Sequence, residues 1–84
     1  MTKSEAKKGI RAILEKVAEL SDATEDLATE VDDSYNEIEP YEGRNELTSA
    51  QEERQEWFSE LSDTLNEVAR ALEIIDDELD EMIY

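Results

Sequence analysis

The sequence predicts an all-α protein, an antiparallel two-helix coiled-coil hairpin that pairs with a second copy into a four-helix bundle. Three observations lead there. The only proline, Pro40, and one of the two glycines, Gly43, both fall inside EPYEGRNE, residues 39–46. Long segments free of breakers flank that stretch, apart from Gly9 near the start, which is the pattern of helix, turn, helix. On each side apolar residues recur at alternating intervals of four and three, the spacing of a coiled-coil seam.

The first helix is expected over about 5–38, with Thr2 and Glu5 as a capping box at its start. Along it Ala6, Ile10, Ile13, Val17, Leu20, Thr24, Leu27, Val31, Ser34 and Ile38 keep the rhythm without a slip. A turn is expected over about 39–48. The second helix, over about 49–83, opens with a box made by Thr48 and Gln51 or by Ser49 and Glu52. Its seam is Phe58, Leu61, Leu65, Val68, Leu72, Ile75, Leu79 and Met82. Each helix would be roughly 50 Å long at about 1.5 Å per residue. A disordered acidic chain would not hold such a register. Residues 1–84 therefore read as one small domain.

Folding the chain at its turn sets opposite each other residues whose numbers sum to about 92, such as Val17 with Ile75 and Leu27 with Leu65. A register summing to about 88 or 89 also places apolar against apolar. Two helices alone offer little core, and a second burying surface is expected at Leu14, Ala28 and Tyr35 on the first helix with Ala69 and Ile83 on the second. In antiparallel pairing these flanks share one side of the hairpin, and a homodimer is the expected state. The alternative is that this stripe only widens the intrachain core.

Charge sharpens the picture. The chain holds 25 acids and 8 bases, a formal net charge of −17. Residues 73–84, EIIDDELDEMIY, crowd six acids at a helix C-terminus, where the helix dipole disfavours them. The hairpin resolves this, because that end lies beside Lys3, Lys7, Lys8, Arg11 and Lys16 of the first helix. Residues 1–18 and 68–84 together carry six bases and eight acids, a net of −2. Residues 19–67 carry seventeen acids with only Arg44 and Arg54, a net of −15. A solubility charge of the halophilic kind would not be so polarised, and Lys and Arg are equally frequent at four each.

This balance disfavours direct binding to nucleic acid or to an anionic membrane and favours a basic protein surface. The candidate partner-binding residues are Asp22, Glu25, Asp26, Asp32, Asp33 and Glu37 on the first helix. Glu39, Glu42, Glu46, Glu52, Glu53, Glu56, Glu60 and Asp63 continue the set through the turn into the second. Each alone reads as a solvated residue, and only the cluster points to a partner.

Catalysis is not expected. With no His and no Cys, the usual general base, nucleophile dyads and zinc sites are missing, and no cofactor or metal is called for. Abundant carboxylates on a two-helix rod have no cleft to face across. The stretch DDSYNEIEPYEG lacks both the sixth-position Gly and the twelfth-position Glu of a calcium loop. No membrane-length apolar run occurs, and MTKSEAKKG lacks the apolar core of a signal peptide, so a cytoplasmic protein is expected.

A rod roughly 50 Å long with this charge carries about one charge per 3 Å, and two side by side approach the one per about 1.7 Å of duplex DNA. In size, acidity, lack of cysteine and helical architecture the whole chain resembles phage-encoded DNA-mimic inhibitors of the anti-restriction and anti-CRISPR type. The resemblance implies a non-enzymatic inhibitor that occupies the nucleic-acid site of a host nuclease or CRISPR effector, working in the host cytoplasm. The other reading is a coiled-coil adaptor or structural protein acting through helix–helix pairing, with acidity serving only solubility. A third is a small antitoxin-like or chaperone-like partner that masks one basic protein.

Overall fold

Threonine caps set both helix starts. In the computed structural model, which describes residues 1–84, α1 spans Lys3–Asn36 and α2 spans Ser49–Ile83, packed against each other as an antiparallel hairpin. Thr2 Oγ1 accepts a hydrogen bond from the Glu5 amide at 3.1 Å, so the threonine half of the expected box is formed. Of the two openings expected for α2, the Thr48–Gln51 box is the one made. Thr48 Oγ1 accepts from the Gln51 amide at 3.2 Å, and Gln51 Oε1 accepts from the Thr48 amide at 2.9 Å. Two backbone donors that would otherwise be orphaned at the helix start are thereby satisfied.

Helix α1 stops at Asn36, two residues short of the expected end, with the Glu37 amide donating to Asp33 O at 3.0 Å. Pro40 pushes its predecessor Glu39 toward extended backbone and keeps the helix from resuming. The chain then reverses through a turn closed by the Arg44 amide on Tyr41 O at 2.9 Å. Gly43 sits at the third position of this turn with φ +83°, a conformation that any side chain would strain. Gln51 Nε2 reaches back to Glu39 O at 2.8 Å and ties the connection to the first turn of α2. The hairpin measures 68 × 17 × 14 Å.

The register is pinned by Ser62 Oγ donating to Asp32 Oδ1 at 3.2 Å, a pair summing to 94. That is close to the register near 92 and away from the one near 88 or 89. Packing follows only half of the expected seam. Ile10, Val17, Thr24 and Val31 of α1 are buried or half-buried, as are Phe58, Leu65, Leu72 and Leu79 of α2. Both sets recur every seven residues and point straight at the other helix. Thr24 is tolerated among them because its hydroxyl donates to Leu20 O at 2.7 Å within its own helix.

Most of the other half of the seam stays in solvent, although Ala6, Ser34 and Leu61 are half-buried. Ile13, Leu20 and Leu27 of α1 and Val68, Ile75 and Met82 of α2 are between 39% and 66% exposed. Each helix is turned so that one heptad position makes the contact and its neighbours on either side flank it. Residues three further on, the exposed set, lie to one side of the hairpin. Residues four further on, including Leu14, Ser21, Ala28, Ser62 and Ala69, lie to the other. In consequence only Val17, Thr24, Val31 and Leu65, four residues of 84, are buried.

Candidate protein-binding surface

All fourteen acids expected to meet a partner are exposed. The fold sorts them into three groups. Asp22, Glu25 and Asp32 of α1 and Glu52, Glu56, Glu60 and Asp63 of α2 edge a shallow groove that runs along one side of the hairpin. Glu37, Glu39, Glu42 and Glu46 lie on the connection at its end. Asp26, Asp33 and Glu53 project from the outer faces of the helices, away from the groove, as the heptad spacing requires.

The groove exists because its floor is built of small side chains. Ser21 and Ala28 of α1 face Ala69 of α2, and between these residues the helices leave an opening of about 610 Å³. Toward the connection the floor continues through Tyr35 and Ser62, flanked by Asp32 and Asp63. Three of the residues expected to form a dimer contact, Ala28, Tyr35 and Ala69, thus line the same groove whose rims carry the acids. Leu14 and Ile83 lie on the same side of the hairpin by heptad position, half-buried like Ala28, while Tyr35 and Ala69 are exposed. The two surfaces separated by the sequence reading are one surface in the fold.

Two further acids belong to it. Glu73 and Asp76 line the same opening beside Asp22 and Glu25. By position along the chain both belong to the balanced open end of the hairpin. Their heptad positions, matching those of Ser59 and Ser62 on the groove side, are the signal that would have found them.

Ten of the fourteen carboxylates sit on the two packed helices and four on the connection between them. The net charge of −17 over 68 Å averages about one charge per 4 Å, more dilute than expected because the connection lengthens the rod. No group of three or more His, Cys, Asp or Glu side chains is placed to hold a metal ion. Asp32–Asn36, the start of the stretch compared with a calcium loop, is helical. No helix is long and apolar enough to cross a membrane.

These features define a small acidic helical hairpin with a grooved, carboxylate-lined side. No known family model, curated protein or solved structure matches the chain.

Proposed function

We propose that this protein is a non-enzymatic inhibitor that binds a basic protein surface, its carboxylates standing in for the phosphates of a nucleic acid. The fitting targets are proteins that grip nucleic acid in a basic channel, a restriction nuclease or a CRISPR effector among them, met in the cytoplasm. The observation that carries the reading is the net −15 of residues 19–67, all of its acids exposed and −12 of it on the two packed helices. Such a surface attracts a basic groove at long range and resists the self-neutralisation available to a flexible acidic tail.

The test is charge reversal of Asp32, Asp33, Glu52 and Glu53 together to Lys, read as competition with DNA for candidate nucleases and effectors. Wild-type protein should displace DNA, with affinity falling steeply as salt rises, and the variant should lose most of that competition. A folded variant that binds with unchanged affinity and salt dependence would overturn the proposal.

A second reading rests on the exposed stripe of Ile13, Leu20, Leu27, Val68, Ile75 and Met82. It makes the protein an adaptor that pairs with helices of a different protein, and it requires binding to an unrelated partner that is insensitive to salt.

A further inference from the structure

We propose that the exposed apolar stripe is the seat of a second copy of this chain, packed with its turn at the opposite end, so that two hairpins close into an antiparallel four-helix bundle. This stands independently of the inhibitor reading. It also places the dimer contact on the side of the hairpin opposite to the one expected from the sequence.

Three observations select a second copy as the occupant. The first is area. The hairpin exposes 6828 Å², whereas a compact monomer of its 9.6 kDa mass exposes about 5,100 Å². That surplus, about 1,700 Å² per copy and so about 3,400 Å² for two, is the total area an obligate homodimer interface removes, about 2,000–5,000 Å². The second is charge. The stripe and its outer edges carry Lys16 and Arg54 against Glu30, Glu37 and Glu78, a net of only −1 on a molecule of net −17. Every other side is strongly acidic, and the groove would set acid rims against acid rims if two copies met there. The apolar side is the one across which two such molecules approach with the least repulsion. Ala23 and Ala71 lie among its edge residues and leave room for close helix approach.

The third observation fixes the orientation. One half of the rod carries −15 and the other −2. Packing turn beside turn would stack the two −15 halves, while packing turn beside open end sets each against a nearly balanced half. In that arrangement α1 lies antiparallel along α1 of the second copy, with the two-fold axis near Ala23. Lys16 of each copy then falls beside Glu30 of the other, seven residues either side of the axis. The assembled rod carries acids along its whole length, with about one net negative charge per 2 Å for two copies over 68 Å, near the spacing of duplex DNA.

The absence of cysteine gives a clean reporter. Ala23→Cys should form a disulfide-linked dimer on mild oxidation, whereas Ala28→Cys, on the groove side, should not. In wild-type background, sedimentation equilibrium should give a dimer at micromolar concentration. Lys16→Glu should weaken it by roughly five- to tenfold, and adding Glu30→Lys should restore it. Circular dichroism confirms that each variant remains helical, and the Cys variants need no disruptive change. A wild-type monomer, preferential cross-linking through Ala28→Cys, or rescue of Lys16→Glu by Glu78→Lys in place of Glu30→Lys would overturn the proposal. The last result would put the turns at the same end.

Discussion

Single residues decide where this chain can bend and where it cannot. Gly43 occupies a turn position with positive φ, and replacing it by any other residue should loosen the connection. Gly9 has no such duty. It lies in the first turns of α1, exposed, and a Cβ built there meets nothing within 4 Å. Gly9→Ala should therefore stabilise the fold by about 0.5–1 kcal/mol through helix propensity alone, measured by chemical denaturation. Thr24 shows the limit of reading residue types from a pattern. It holds a seam position by rhythm, and its hydroxyl satisfies itself on Leu20 O, so a polar side chain sits in the core without a partner from the other helix.

Helices and their ends were largely legible, and their rotation was not. Pro40, Gly43 and the Thr48–Gln51 spacing located the connection to within two residues, because breakers and caps act locally. Thr48→Ala removes the hydroxyl half of the α2 capping box and should cost about 1 kcal/mol, with fraying visible as lost amide protection over the first turn of α2. The register was legible only to within about one turn, since apolar residues face each other at sums near 92 and near 88 or 89 alike, and the Asp32–Ser62 hydrogen bond lies nearer the first. The seam, by contrast, was read as two contact positions per heptad, and only one is packed. Ile13 and Val17 are equally apolar, so spacing alone could not rank them. Small side chains opposite each other at Ala28 and Ala69 open the groove on one flank, and the larger residues are left on the other. That preference is a property of both helices together and cannot be seen in either one.

The molecule as a whole is a rod with two unlike sides, one grooved and acidic, the other apolar and nearly balanced in charge. The sequence reading found the polarity along the rod, −15 toward the connection and −2 at the open end, because linear counting suffices for it. It did not find the polarity around the rod, which needs the rotation of both helices. For that reason the expected dimer residues Ala28 and Ala69 turn out to share an opening with acids expected to meet a partner, and Glu73 and Asp76 on its rim were not singled out. The two proposals fit together physically, since pairing through the apolar side leaves both acidic sides facing outward. Repulsion among exposed carboxylates opposes the compact state and is screened within about 10 Å at 0.1 M salt, so thermal stability should rise as salt is added.

An acidic rod already folded and paired before it meets any partner is the central claim for the molecule as a whole. Light scattering combined with circular dichroism, across salt from tens of millimolar to one molar, tests it most directly. A helical particle of twice the chain mass already present at the lowest salt is the expected result. A monomer that becomes helical only near molar salt, or only when a basic partner is added, would contradict it.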